Sequence, residues 1–398
     1  LLEQNKEEYI RYLKELVAID THCLGHGIAG GLEKEGQEYM IRLFQAMNAD
    51  RIKEDPLTEE TILKCLNEYQ EGNPGHNQEN RFNVYATFKG NGGRSLIFNG
   101  HIDTMPAGNE KEWKSPPHQP TIKDGKLYGL GSTDMKGGLL ASVMAVKLLK
   151  DAGIPLPGDV TIASVCDEEG GGNGSIQAIM SGERADGVVV CEGTSDELIV
   201  AHMGFVFFRV EIEGKACQSG VKWRGVSAID KAMKLIRELD EMEHRWLLTY
   251  KHPLLPAPNL NVGTIKGGTA GSTVAGKCQF EVCIHYIPKQ MSHNQVVAEF
   301  MDVINRISDA DPWLKDHKPV VTMYQAGGAY EMEEHPFVDS FREAYKKARE
   351  KEVKLVGSPA GCDSRLWRNI AKCPTIQFGP GNLEQCHAVN EYLSLDAY

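Results

Sequence analysis

The stretch Ser95-Leu96-Ile97-Phe98-Asn99-Gly100-His101-Ile102-Asp103 decides how the rest of the chain is read. Leu96, Ile97 and Phe98 form a short apolar run of strand type, and a histidine and an aspartate stand just beyond its end. In open α/β sheets, sites form outside the carboxyl ends of strands. An H-x-D pair there places a metal ligand beside a carboxylate that can orient it. On these residues alone, a histidine serving only the strand end is the first reading, and the metal ligand the second.

Working outward, Asn83–Phe88, Val160–Val165 and Val188–Cys191 repeat the strand signal. Between the strands lies a helix-like run with Leu139, Val143, Val146 and Leu149 on one face. An amphipathic helix is expected over Glu7–Ile19, and the polar, Gly- and Asn-rich segment Glu71–Asn80 reads as a loop or insertion. Strands alternating with helices predict an α/β sheet sandwiched by helices. From about Met203 the texture changes to the order β-α-β-β-α-β: Phe205–Ile212, Ala228–Leu239, Asn261–Ile265, Cys278–Ile287, Gln295–Ile307 and Val320–Tyr324. That order is expected of a small ferredoxin-like α+β unit. After Gly327 the α/β texture returns, with a helix at Pro336–Arg349 and a short strand at Pro374–Gly379. The expected organisation is one α/β domain (1–200 and 328–398) interrupted by an inserted domain (201–327).

Composition bounds the function. The chain has 398 residues, 41% of them hydrophobic and 25% charged, which is ordinary for a folded globular protein. Its net charge of −12 argues against nucleic acid or an anionic membrane surface as a partner. No apolar run is long enough to span a bilayer. Ten cysteines without a C-x-x-C pair read as free thiols, which predicts a reducing, cytoplasmic location.

Chemistry-bearing residues recur where strands end. Asp134 sits in the glycine-rich loop Gly129-Leu130-Gly131-Ser132-Thr133-Asp134-Met135-Lys136-Gly137-Gly138, where an anionic side chain suits a cation better than a phosphate, although a helix N-cap is the other reading. Asp167-Glu168-Glu169 follow the strand Val160–Val165, and adjacent carboxylates repel unless a cation neutralises them. Glu192 ends another strand, and His387 lies beyond the last. Two histidines with several carboxylates form a mixed N/O donor set suited to Zn²⁺, Mn²⁺ or Co²⁺. Cys362 and Cys386 flank this set, but no histidine-paired arrangement supports a thiolate nucleophile, so packing thiols are expected.

The segments Gly100–Asp103, Tyr128–Gly138, Asp167–Gly170, Val189–Gly193, Gly214–Ile229, Asn261–Gly268 and Gly379–Tyr392 carry a resemblance. In order and spacing the chain resembles the dinuclear metallopeptidase family of acetylornithine deacetylase, succinyl-diaminopimelate desuccinylase, aminoacylase and carboxypeptidase G. The resemblance implies a mixed-sheet α/β catalytic domain with an inserted ferredoxin-like lid and dimerisation domain. It also implies two divalent metal ions, zinc first, with cobalt or manganese as alternatives. One would be held by His101, Asp134 and Glu192, the other by Glu169, His387 and the shared Asp134. Glu168 would be the general base, Asp103 would orient His101, and the Asp134–Met135 peptide would be cis.

Some positions depart from the family pattern. Gln218 stands where the family has an oxyanion-stabilising histidine, Ser272 where it has asparagine, and His285 where it has a carboxylate-holding arginine. Arg365, in Gly361-Cys362-Asp363-Ser364-Arg365, is then the best-placed alternative carboxylate clamp, with a salt bridge as its other reading. A homodimer is expected through the inserted domain, with Phe205–Ile212 pairing edge to edge. The expected function is a metal-dependent amidohydrolase acting on an N-acyl or small peptide-like amide, with a small-molecule substrate. Hydrolysis of a non-peptide C–N bond and a catalytically silent metal-binding homologue are the alternatives.

Overall fold

The computed structural model describes residues 1–23, 31–332 and 334–398. The chain divides into two compact units, one of Leu1–Val200, Met332–Val356 and Cys362–Tyr398, the other of Ala201–Glu331 and Gly357–Gly361.

The first unit is built on a mixed sheet with the strand order Arg51–Pro56, Phe82–Phe88, Gly158–Val165, Gly93–His101, Gly187–Val190, Thr375–Gln377 and Leu198–His202. The period-two alternation of the strands sends neighbouring side chains to opposite faces. Val84, Ala86, Phe88, Val160 and Ile162 pack on one face with Leu13, Leu16, Phe44, Leu139 and Val143, from the helices Leu2–Val17, Glu33–Ala46 and Lys136–Asp151. Tyr85, Ile97, Ala163, Val165, Val188 and Val190 pack on the other with Ile176, Ile179, Leu366 and Trp367, from the helices Asn173–Met180 and Ser364–Asn369. Both faces are therefore covered, and the middles of the central strands, such as Leu96–Phe98 and Val188–Val190, are apolar on both faces.

Pairing direction is what prepares a site. Gly93–His101 runs parallel to both of its neighbours, Gly158–Val165 and Gly187–Val190, and Thr375–Gln377 runs parallel to Gly187–Val190. These four adjacent strands thus end on the same edge of the sheet. Gly138 allows the helix Lys136–Asp151 to sit close against this edge, since any Cβ there would collide with the Cys191 carbonyl.

The second unit has strands Gly204–Glu213, Asn259–Gly267, Lys277–Tyr286 and Val320–Gly327 and helices Ala228–Thr249 and His293–Ala310, in the order β-α-β-β-α-β. The Ser227 and Ser292 side chains accept the N–H groups of Asp230 and Gln295 and so start these two helices. Val206, Phe208, Val210 and Ile212 alternate inward against Leu235, Leu239, Trp246, Phe300 and Ile304. Phe208 and Phe300 stack with ring centroids 4.0 Å apart, a contact whose loss on truncation to alanine costs ~3–5 kcal/mol.

The edge-to-edge expectation for Phe205–Ile212 is corrected here. The strand Gly204–Glu213 is hydrogen-bonded on one side to Lys277–Tyr286 and on the other to Val320–Gly327. Its backbone groups have no edge to offer. Asn259–Gly267 and Val320–Gly327 are the two edge strands of this sheet.

Candidate metal centre

The parallel strands deliver their following residues to one place. His101 is the last residue of its strand, Glu168 and Glu169 follow Gly158–Val165, and Glu192 follows Gly187–Val190. Asp134 arrives on the loop ahead of the helix Lys136–Asp151, and His387 on the segment after Thr375–Gln377. His101 Nε2 lies 3.1 Å from Asp134 Oδ1 and 3.7 Å from Glu192 Oε1. His387 Nε2 lies 3.4 Å from Asp134 Oδ2 and 2.9 Å from Glu169 Oε2. Ligand atoms of His101, Asp134 and Glu192 all fall within 4.8 Å of one another, as do those of Asp134, Glu169 and His387. The two groups share Asp134, which turns one oxygen to each.

Asp134 does not cap the helix. The N-cap of Lys136–Asp151 is Met135, with no side-chain cap, and the Asp134–Met135 peptide is cis. The loop is instead held by a residue with no signature in the sequence. Buried Glu391 accepts the N–H groups of Gly131, Thr133 and Asp134 at 2.7, 2.7 and 3.0 Å.

Asp103 works differently from expectation. The nearest partner of His101 Nδ1 is the main-chain carbonyl of Asp103 at 2.8 Å, whereas the Asp103 carboxylate is 3.6 Å away. A carbonyl only accepts, so Nδ1 carries a proton, which leaves Nε2, the atom facing Asp134 and Glu192, as the one that would ligate a metal. The Asp103 carboxylate accepts the N–H groups of Glu168 and Glu169 at 3.3 and 3.1 Å and so fixes the turn that carries them.

The electrostatics are those of crowded carboxylates. Burial, then the charges of Asp363, Glu192 and Glu169, push the Glu168 carboxyl well above its usual range. Burial and nearby Asp134 raise Glu169 to about 6, and burial raises Glu192 to about 8. Hydrogen bonds to Asp134 and Glu169 raise His387 to about 11. A divalent cation relieves this repulsion, and the N/O donor set fits a borderline metal such as zinc. Asp363, also without a signature in the sequence, is buried and accepts from Ser175 Oγ at 2.5 Å and Asn99 Nδ2 at 3.4 Å.

Arg365 takes the salt-bridge reading, although buried rather than at the surface. Only 2% exposed, it spends its guanidinium on Glu71 Oε2 at 3.1 Å and on the carbonyls of Cys362 and Gly171 at 2.8 and 3.2 Å. These bonds tie it to Glu71 and to two main-chain carbonyls in a buried pair. Burial also pushes the Cys362 and Cys386 thiols well above their usual range, as packing thiols require.

Gln218, Ser272 and His285 belong to the second unit. Gln218 and Ser272 are exposed neighbours: Gln218 bridges Thr273, and the Ser219 N–H donates to the Ser272 carbonyl at 2.8 Å. Gln218 Oε1 accepts the Gly220 N–H at 2.6 Å and caps a short 3₁₀ turn. His285 is half-buried on the strand Lys277–Tyr286, and burial lowers its pKa.

The profile of peptidase family M20/M25/M40 matches residues 97–398. N-formyl-4-amino-5-aminomethyl-2-methylpyrimidine deformylase of Bacillus subtilis is 33% identical over 327 residues, covering 76% of this chain and 75% of that protein. A probable succinyl-diaminopimelate desuccinylase of Staphylococcus aureus is 28% identical over 357 residues, covering 80% of this chain and 83% of its own. Among solved structures, an M20 family metallo-carboxypeptidase from Sulfolobus solfataricus shares the fold with a TM-score of 0.75 at 18% identity, over 98% of this chain and 96% of that one.

Proposed function

The chain belongs to peptidase family M20/M25/M40, and from that premise we propose a metal-dependent amidohydrolase that removes a small acyl group from an amine, with two divalent ions held by the two groups that share Asp134. The single observation that carries the reading is that sharing: Asp134 places one oxygen by His101 and the other by His387. His101, Asp134 and Glu192 would hold one ion, and Asp134, Glu169 and His387 the other. Bound there, two such ions supply Lewis-acid polarisation of the amide carbonyl and acidify a water.

The protein's own groups do the rest. Glu168, raised by burial and by Asp363, takes the proton of the attacking water onto its carboxylate and passes it to the leaving amine nitrogen. A general base works best with a pKa near the operating pH, and crowding moves Glu168 that way. Asp103 holds the Glu168 and Glu169 N–H groups, and its carbonyl keeps the His101 ring in the donating tautomer.

The substrate reading follows from what is missing. His285 replaces the family arginine, and Arg365 is committed to Glu71, so neither stands ready to hold a substrate carboxylate. That favours an N-acyl amine whose amine part lacks a carboxylate. The B. subtilis relative is named for such a compound, an N-formyl aminomethylpyrimidine. Gln218, with Oε1 committed to its turn, would offer its NH₂ as a neutral oxyanion donor, with Ser272 beside it. We also propose a homodimer through the edge strands of the second unit, where Val320 and Met323 are exposed, and a cytoplasmic location, in keeping with ten free cysteines. No helix among the described residues is long and apolar enough to cross a membrane.

The test is a panel of N-formyl, N-acetyl and N-succinyl amines, with and without an amine-side carboxylate, offered to the zinc- or cobalt-loaded protein. Release of carboxylic acid and free amine, faster for amines without a carboxylate, supports the reading. Release of ammonia instead would point to a deaminase or ureidohydrolase, and no release at all to a silent homologue.

A further inference from the structure

The segment 71–81, which contains no helix or strand, lies across the turn that carries Glu168 and Glu169 and is tied to it by side-chain and main-chain bonds. Asn73 and Asn173 exchange two bonds: the Asn73 N–H donates to Asn173 Oδ1 at 3.0 Å, and Asn173 Nδ2 donates to the Asn73 carbonyl at 2.9 Å. Asn73 Nδ2 also reaches the Gly170 carbonyl at 2.7 Å. His76 Nδ1 lies 2.8 and 3.1 Å from the two oxygens of Asp167. Arg81 Nη2 lies 2.9 Å from Asp167 Oδ1, and the same guanidinium forks onto Glu33, with Nε 3.1 and 3.2 Å from its two oxygens. Glu33, His76, Arg81 and Asp167 are all buried.

Two features make this more than packing. Asp167 has a positive φ of 57°, so its side chain leaves the turn away from the direction of its neighbours, and something must hold it there. Gly170 has no room for a Cβ, which would strike the Asp167 carboxylate and the His76 ring. Buried charge pairs are weak contributors to stability compared with apolar packing of the same volume. What this set supplies is a fixed orientation of one carboxylate.

We propose that His76 and Arg81 are positioning residues that act through Asp167 to aim Glu168 and Glu169. The turn is thereby gripped from two sides. Asp103 holds its N–H groups, and the 71–81 strap holds the side chain that precedes them. The inference rests on the proposed roles of Glu168 and Glu169, but its first readout does not need turnover.

The experiment uses the full chain, stripped of metal and titrated with Co²⁺ while the visible spectrum is recorded, in wild type, His76→Leu, His76→Asn and His387→Ala. Leucine removes the donor, and asparagine returns an N–H near the same place. The expected result for His76→Leu is a roughly tenfold or greater weakening of the Co²⁺ equivalent that His387→Ala abolishes, the other equivalent being less affected. Turnover of an N-acyl amine should fall by ~10–100-fold with KM within about twofold, and His76→Asn should recover most of both losses. A folded His76→Leu with wild-type Co²⁺ affinities and kcat overturns the proposal, as does His76→Asn performing no better than His76→Leu. If His76→Leu does not fold, Arg81→Lys, which keeps the charge but loses the fork, takes its place, and unchanged Co²⁺ binding there is equally fatal. A wild type that binds two Co²⁺ but hydrolyses no amide refutes the reaction, while the Co²⁺ comparison still decides the strap.

Discussion

Glu391 holds Asp134 by its backbone: Glu391 Oε1 accepts the Asp134 N–H at 3.0 Å while burial, then the nearby Asp134 charge, lifts the Glu391 carboxyl to about 8. Glu391→Gln keeps the shape but turns an NH₂ group toward a cluster of N–H donors. Metal affinity at both groups should drop by about tenfold, because Asp134 serves both, and elemental analysis after mild chelation reads this directly. Full metal retention in a folded variant would show that the loop holds its shape unaided.

Chelation should abolish activity, and Zn²⁺, Co²⁺ or Mn²⁺ should restore it. His387→Ala should retain one metal per chain and Asp134→Asn should weaken both sites, since His387 belongs to one group and Asp134 to both. Undiminished turnover in a verified metal-free preparation would end the mechanism.

Glu168→Gln should keep its metal and lose turnover by ~10²–10⁴-fold. Loss of metal along with turnover would make Glu168 a ligand instead.

Asp311 offers a pH test in the second unit. Burial raises its carboxyl, but bonds from Lys231, from the N–H groups of Leu314 and Trp313, and from Lys234 outweigh that and hold it well below 3.8. A carboxyl depressed on folding contributes stability that is whole above its unfolded value and fades as pH falls through the folded one. Asp311→Asn should therefore lower stability by about 2 kcal/mol near neutrality, with the gap from wild type closing below pH ~3.8. Melting curves at pH 7 and pH 3 check it, and a constant gap would refute the ionic account.

The legible parts of the molecule were those with a local signature. Apolar strands followed at once by His101, Glu168, Glu169 and Glu192 announce both the sheet and its working edge, because a charge set directly against a buried strand is costly unless a cation or a partner meets it there. What period-two patterning cannot say is who pairs with whom. Phe205–Ile212 alternates equally well as an edge or a centre, and only the partners on both sides settle it. The helix Ala228–Thr249 outran its expected end at Leu239 because Met242 and Trp246 continue the buried face through a polar stretch. For Arg365 the sequence leaves a clamp and a salt bridge equally open for a different reason. Its partner Glu71 is 294 positions away, and no spacing rule reaches that far. His76, Arg81 and Glu391 are likewise silent in sequence, since each acts through a neighbour's backbone or carboxylate.

The five donor residues are dealt out along the chain as 101, 134, 169, 192 and 387. On the ribosome, four of them emerge long before the fifth, and the whole second unit is made in between. Until that last stretch is made, the group of Asp134, Glu169 and His387 is short of its histidine, and the loop that carries Asp134 is short of the Glu391 carboxylate that accepts its N–H groups. A ligand that binds only the folded form adds RT ln(1 + [L]/Kd) to its stability, about 4 kcal/mol at a thousandfold excess over Kd. Metal bound at the proposed groups would thus act as a seal on finished synthesis, because chains released before His387 would lack that increment.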